Sequence, residues 1–336
     1  MERASRRGDQ GADSRWCGSR VNSHIIDVVG QHMTQGQVQA GAGREPLRTA
    51  VASGRRLKAV ILGSADQRPQ LAIEAGKLQP LLEKYVDVIG VDLDYRSQSS
   101  VGEADFGVVL GGDGSMLRAA QRLGSEKVPV IGVNLGRLGF LADVRTDELV
   151  PMVEAVLRGE FRLVDHMMLE CQVFDDQRLV KLVIGLNELA VLGGPPFSMQ
   201  HIDLYVDGDL ATSYSCDGLI ISTPVGSTAH NLSAGGPIVR KNLQAFVIAP
   251  ISPHTLTVRP MVDTADRVYE VVVKEPNEST SAVVDGQVLC RLTSRHRVRV
   301  ERAQCVFQLI EGLGHSYYRT LREKLGWSGG FRSQNQ

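Results

Sequence analysis

The spacing of apolar positions changes once along the chain, near Phe161, and divides it into two regions of different build. From Leu57 to about Arg158, short continuous apolar runs alternate with stretches of helical spacing. Ala59–Leu62, Val86–Val91, Phe106–Leu110 and Pro129–Val133 predict strands. Pro69 opens a helix with apolar positions at Ile73, Leu78, Leu81 and Leu82, and residues 116–123 and 147–157 predict two more. Strands that are apolar throughout, alternating with helices, predict a parallel sheet covered on both faces. Ligands of such sheets bind beyond the carboxyl ends of the strands.

After Phe161 the helical spacing fades. Leu169–Phe174, Val180–Ile184, His201–Val206, Leu219–Ser222, Ala245–Ala249, Val268–Val273, Ala282–Val284 and Arg297–Val300 predict strands separated by turn signals, an all-β region built as a sandwich or layered sheet. Ser316–Leu325 returns to helical spacing, with Arg319, Arg322 and Lys324 on its surface. It is expected to pack back on the first region. The expected division is a tail over 1–55, an α/β domain over 56–160 joined by 305–327, an all-β domain over 161–304, and a second tail over 328–336.

A length of 336 residues accommodates about two such domains. Residues 1–55 are rich in Gly, Arg, Ser and Gln, and their one apolar cluster, Ile25–Val29, is too short for a secretory segment. They are expected to form a flexible tail. A net charge of −1 supplies no electrostatic argument for nucleic acid or an anionic membrane surface. No apolar run approaches the ~20 residues that span a bilayer. The five cysteines, odd in number and without CxxC spacing, fit a reducing cytoplasm better than a disulfide framework.

The chemistry concentrates at turns. Val108–Ser115 runs from a strand into Gly111-Gly112-Asp113-Gly114 and then a helix. Glycines there let backbone N–H groups approach an anion, and the helix N-terminus favours phosphate. A carboxylate at the centre of a phosphate cradle repels its ligand unless it holds a metal ion or takes a proton from a hydroxyl. The combination points to phosphoryl transfer onto an alcohol. Residues 134–141, Asn-Leu-Gly-Arg-Leu-Gly-Phe-Leu, again place glycines at a strand end. Asn187 and Glu188 suit ribose hydroxyls and an amino-purine edge, provided that they stand at a strand end, because neighbours within a strand point apart. The stretch 216–239 combines an apolar strand with Gly-Ser-Thr and Gly-Gly-Pro turns, through which small side chains and backbone can press against a flat, phosphate-bearing ligand. Ser227 lacks the GxSxG elbow of a serine nucleophile. There is no GxxxxGK[ST] loop, no GxGxxG fingerprint, and no His/Cys cluster with zinc spacing.

Taken in order, these motifs resemble the NAD kinase family over residues 57–327. The matching pieces are 111–115, 134–140, Asn187-Glu188, Asp217-Gly218, 223–230, 233–237, 249–260, 284–287 and 321–327. The Gly-Gly-Asp-Gly turn alone is shared with diacylglycerol, sphingosine and 6-phosphofructo-kinases; the Gly-Ser-Thr-Ala and Ala-Gly-Gly-Pro segments are far more specific. A lipid kinase would want an apolar cleft and a membrane-facing basic or aromatic surface, which the sequence does not offer. A non-catalytic dinucleotide sensor need not keep Asp113.

The resemblance implies a Rossmann-like N-terminal domain, an all-β NAD-binding domain and a homodimer or homotetramer whose site a neighbouring subunit completes. It implies phosphorylation of the adenosine-ribose 2′-hydroxyl of NAD, with ATP or polyphosphate as donor and Mg²⁺ accompanying ATP. Asp113 would accept the hydroxyl proton, and Gly114 and Arg118 would lie near the phosphates. Asn187 and Glu188 would hold adenosine, with Asp217 on a ribose or adenine contact. Thr228, Ala229, His230, Asn231, Leu232 and Ser233 would line the dinucleotide, and Gln287 would close the site. No residue is expected to form a protein metal cage. Three positions depart from the family pattern: Val225 replaces a threonine, His230 a tyrosine, and Ser215 a basic residue.

Overall fold

Four apolar strands, β1 (Lys58–Gly63), β2 (Asp87–Asp92), β3 (Phe106–Gly111) and β4 (Val130–Asn134), pair in parallel in the order β2-β1-β3-β4. This computed structural model describes residues 47–65, 70–95, 101–124, 126–136, 139–314 and 316–327. β3 and β4 are buried along their whole length, which is why they read as unbroken apolar runs. Helices α1 (Leu47–Ala52), α2 (Gln70–Leu82), α3 (Asp113–Leu123) and α4 (Leu149–Leu157) cover the two faces. Leu47, Leu71 and Met152 pack against Ile61, Val108 and Leu110, whereas Met116 and Ala119 of α3 pack against Val60, Leu62 and Val109 on the opposite side. The chain runs outward from β1 to β2, then returns to place β3 beyond β1. Strand order therefore reverses between β1 and β3, and sheets of this kind bind ligands outside the strand ends at such a reversal, here Gly63-Ser64 and Gly111-Gly112.

The short β5 (Val144–Arg145) pairs with β4, and the remaining strands form the β region. They are β6 (Phe161–Asp175), β7 (Arg178–Gly185), β8 (Glu188–Leu192), β9 (Gln200–Val206), β10 (Asp209–Cys216), β11 (Gly218–Ser222), β12 (Ala245–Ile251), β13 (Met261–Thr264), β14 (Tyr269–Val273), β15 (Ser281–Val284), β16 (Gln287–Arg291) and β17 (His296–Gly312). A six-stranded sheet, β13-β12-β11-β8-β15-β16, faces a second sheet across a core of Val191, Ile221, Phe246 and Ile248 against Leu204, Tyr269, Val271 and Val300. Two layers were expected; their continuity with the α/β sheet was not. β17 pairs with β14 through residues 298–300, with β6 along most of its length, and with β4 at Leu309. One eleven-stranded sheet thus crosses both regions, and the expected boundary between residues 304 and 305 falls inside a single strand.

Two further expectations are corrected. The tail drawn over 1–55 overlaps α1, whose Leu47 and Ala50 are buried in the core; residues 1–46 and 328–336 lie outside the described residues. In α2 the buried stripe is Leu71, Ala75, Leu78 and Leu82, a helical repeat that leaves Ile73 62% and Leu81 40% exposed. Pro69 lies outside the described residues. The last helix, α5 (Tyr317–Leu325), packs on both regions: Lys324 Nζ lies 5.5 Å from the Phe140 ring centroid, and Tyr317 Oη donates to Val239 O at 3.4 Å.

Candidate active site

Asp113 is the first residue of α3, reached from β3 through Gly111 and Gly112. Gly111 has φ +137°, and a Cβ there would stand 2.2 Å from Ser115 Oγ, so no other residue makes this turn without displacement. At Gly112 and Gly114 a Cβ would meet nothing within 4 Å, leaving open space on either side of the aspartate. The carboxylate accepts three backbone N–H groups from the next loop. Phe140 N lies 2.9 Å from Oδ2, while Leu141 N and Ala142 N lie 2.9 and 3.2 Å from Oδ1. The electrostatic oddity of an acid among glycines thus has a local answer, because a nest of N–H groups offsets its charge.

Asn134, at the end of β4, shapes that loop: its Oδ1 accepts from Gly136 N at 2.6 Å and its Nδ2 donates to Ala142 O at 3.2 Å. Gly139 completes the seat. A Cβ at this position would lie 2.2 Å from Asp113 Oδ1 and 2.9 Å from Ala142 O. Lys241, from the β region, donates to Phe140 O at 2.6 Å. Burial lowers the Lys241 ammonium's proton affinity, opposed by Glu311, Asp143 and Asp113. His166 of β6 is fully buried, and no hydrogen bond reaches either ring nitrogen; burial and the nearby Lys241 push it down to about 3, so the ring is neutral.

A second aspartate repeats the arrangement. Asp285, in the β15–β16 turn at φ 50°, accepts from Leu186 N at 2.7 Å, Asn187 N at 2.8 Å and Glu188 N at 3.2 Å. Gln121 of α3 also hydrogen-bonds Asp285, which ties this turn to the helix that begins at Asp113. Burial raises the Asp285 carboxyl's proton affinity and the three N–H bonds oppose it. Asn187 and Glu188 stand, as the sequence required, at a strand start rather than within it. Glu188 is buried with no hydrogen bond to Oε2, and burial followed by Asp285 pushes it up to about 8.

The 222–239 segment wraps the same corner. Thr223 Oγ1 donates to Leu186 O at 2.6 Å and accepts from Gly226 N at 3.2 Å, and Val225 packs in the same cluster as Met116 and Leu186. Ser227 is fully buried, donating to Pro224 O at 2.6 Å and accepting from Val239 N at 3.0 Å, which makes it a pin of the loop. Asn231 is also fully buried, with Nδ2 on Ser227 O and Pro237 O, so it holds the loop's shape from inside. Thr228, Ala229 and Leu232 are half-buried; His230, Ser233 and Gln287 are exposed. Arg118 is half-buried one turn along α3.

Asp217 does not join this group. It precedes β11, whereas Thr223 follows it, and across β11 Gly218 pairs with Leu192 while Ser222 pairs with Glu188. Four residue steps of a strand separate the two ends by about 13 Å. Asp217 Oδ1 instead lies 3.7 Å from His254 Nε2. A cleft of about 1280 Å³ opens beside the 134–142 loop, lined by Asn134, Asp143, Met152 and Thr320 among others, but Asp113, Asn187 and Glu188 are not in its walls. Sequence reasoning missed Lys241, since Arg240-Lys241-Asn242 reads as a polar surface turn. It also gave Asp285 no role, although an Asp-Gly pair between two strands is a turn signal that could have flagged it.

Residues 93–161 match the model of the ATP-NAD kinase N-terminal domain and residues 186–312 that of the ATP-NAD kinase C-terminal domain. NAD kinase of Rhodopirellula baltica is 50% identical over 276 residues, covering 82% of this chain and 88% of that protein. NAD kinase of Geobacter metallireducens is 42% identical over 224 residues, covering 67% and 79%. Among solved structures, yeast NADH kinase complexed with NADH shares the fold at a TM-score of 0.74 and 22% identity, covering 84% of this chain and 91% of that one. An Archaeoglobus fulgidus NAD kinase in complex with ATP aligns at a TM-score of 0.61 and 27% identity, covering 80% and 99%. With both domain models in order along its α/β and β regions, this chain belongs to the NAD kinase family.

Proposed function

We propose that the protein phosphorylates the adenosine-ribose 2′-hydroxyl of NAD with ATP, giving NADP and ADP. The observation that carries this reading is the Asp113 carboxylate, fixed by three N–H groups between two open glycine positions at the strand-order reversal. Its Oδ2 accepts one of those bonds and keeps a lone pair for a hydroxyl. Asp113 takes the 2′-hydroxyl proton as that oxygen bonds to the γ-phosphorus and the bond from phosphorus to the bridging oxygen of ADP breaks. A base so placed contributes about 10²–10⁴-fold. Glu188, buried and lacking a protein partner at Oε2, is a hydrogen-bonding group kept for adenosine. Arg118 and the open backbone at Gly114 serve the phosphates, while Thr228, Ala229, His230, Leu232, Ser233 and Gln287 border the dinucleotide. Asn231, fully buried, holds the shape of that loop instead of lining the ligand. Magnesium enters this reading as part of the Mg-ATP substrate, held by phosphate oxygens, a mode of binding that needs no all-protein cage.

Asp217, exposed at the other end of β11, serves a site shared with a second subunit of a homodimer or homotetramer. The four described cysteines are free, which supports a cytoplasmic setting. No described helix is long and apolar enough to cross a membrane. The test is direct. Purified protein is incubated with NAD and either Mg-ATP or polyphosphate, and NADP is read with a coupled dehydrogenase. Asp113→Asn is expected to abolish turnover while calorimetry still detects NAD binding. Turnover retained in that variant removes Asp113 from the proton-acceptor role.

A further inference from the structure

The loop that seats Asp113 is anchored from the β region by one cation. Lys241 Nζ donates to Phe140 O at 2.6 Å, and the N–H of the same peptide group, on Leu141, donates to Asp113 Oδ1 at 2.9 Å. A single amide therefore stands between ammonium and carboxylate, its oxygen on the positive charge and its hydrogen on the negative one. Hydrogen bonds in series polarise one another, and both ends here carry charge, the stronger kind of bond. The lysine is half-buried, its Nζ lies 6.0 Å from the Tyr317 ring centroid, and it feels Asp113, Asp143 and Glu311 together. Asn187 and Glu188 have a different anchor, because Asp285 accepts their backbone N–H groups.

We propose that Lys241 is a positioning residue for phosphoryl transfer: through the Phe140–Leu141 peptide it fixes where the Asp113 carboxylate sits, without touching either substrate. The inference rests on Asp113 being the proton acceptor. A carboxylate displaced by about 1 Å loses up to ~10²-fold in rate, whereas the adenosine side of the site is left as it was.

Lys241→Met keeps the apolar stem and removes the ammonium. It is expected to lower kcat at least tenfold while KM for NAD changes less than threefold. Lys241→Arg, which restores a charged donor, is expected to recover most of the loss. A merely structural lysine would move thermal stability without this split between kcat and KM. Should Lys241→Met melt too low to assay, Lys241→Gln takes its place under the same criteria. A kcat within twofold of the native enzyme, or an arginine variant as slow as the methionine one, overturns the proposal. Asp113→Asn is run in parallel: if it is inactive and Lys241→Met is fully active, only the role of Lys241 fails. If Asp113→Asn is active, the underlying reading fails.

Discussion

Gly139→Ala tests the seat of the aspartate without removing the acid itself. The added methyl would lie 2.2 Å from Asp113 Oδ1, 3.0 Å from its Cγ and 2.9 Å from Ala142 O. Non-bonded carbon and oxygen need more than about 3 Å, so the carboxylate or the loop must give way by roughly 1 Å. The carboxylate cannot swing freely, because three N–H groups hold it. A shift of that size at a reacting group costs up to ~10²-fold in rate, equivalent to about 2.7 kcal/mol of transition-state stabilisation. The expectation is a kcat reduced about 10- to 100-fold, with NAD affinity by calorimetry near the native value. Gly136→Ala supplies the control: it alters the same loop, but its Cβ would meet nothing nearer than Asn134 Oδ1 at 4.0 Å. Gly139→Ala with native kcat and native folding would refute the claim that the aspartate's position matters.

Glu188 holds its proton up to about 8 rather than 4.5, so the folded state binds the extra proton between those values. Its contribution to stability is complete below pH 4.5 and lost as pH rises through 8; between pH 6 and 9 roughly 2–3 kcal/mol should disappear from the native protein and not from Glu188→Gln, measured by urea unfolding. His166 runs the other way. Its ring stays neutral in the fold until about 3 while the unfolded chain protonates near 6.5, so native stability should fall by roughly 2 kcal/mol from pH 8 to 5. His166→Met, which also removes two buried nitrogens without hydrogen bonds, should flatten that slope; an unchanged acid slope in thermal melts would count against the buried neutral ring.

The central parallel strands β1, β3 and β4 were legible because both of their faces are buried, so each reads as an apolar run, whereas β2 at the sheet edge is only partly buried. The strands that went unread are largely edge or polar-alternating ones. β10, β13 and β16 lie at or near sheet margins, and Asp209–Thr212 and Gln287–Val288 face solvent, leaving little apolar signal. The continuity of β17 was hidden for another reason. Its run is interrupted by Glu301, Arg302 and Gln304, where its register against β6 shifts, so one strand reads as a strand followed by a linker. In the site, glycines and strand ends marked Asp113 correctly as a special acid, but composition cannot say which donors an acid meets. The N–H groups of residues 140–142 and the Lys241 ammonium arrive from distant segments, and only the folded chain brings them within 3.2 Å of their acceptors.

Asp113 and Asp285 invite comparison, because each accepts three consecutive backbone N–H groups from a neighbouring loop. By bonding alone both are anchors, and neither stands out as the chemical one. Access separates them. Asp285 is 9% exposed, its carboxylate enclosed by the peptides it pins and by Gln121. Asp113 is half-buried, with open space over the glycines on both sides. A carboxylate that fixes a loop and still presents a lone pair outward is preorganised for a proton that arrives with the substrate, at no cost of rearrangement. A carboxylate that fixes a loop from within can only position what the loop carries, here Asn187 and Glu188. The same local bond pattern thus yields two functions, and the difference lies in which side of each turn was left without side chains.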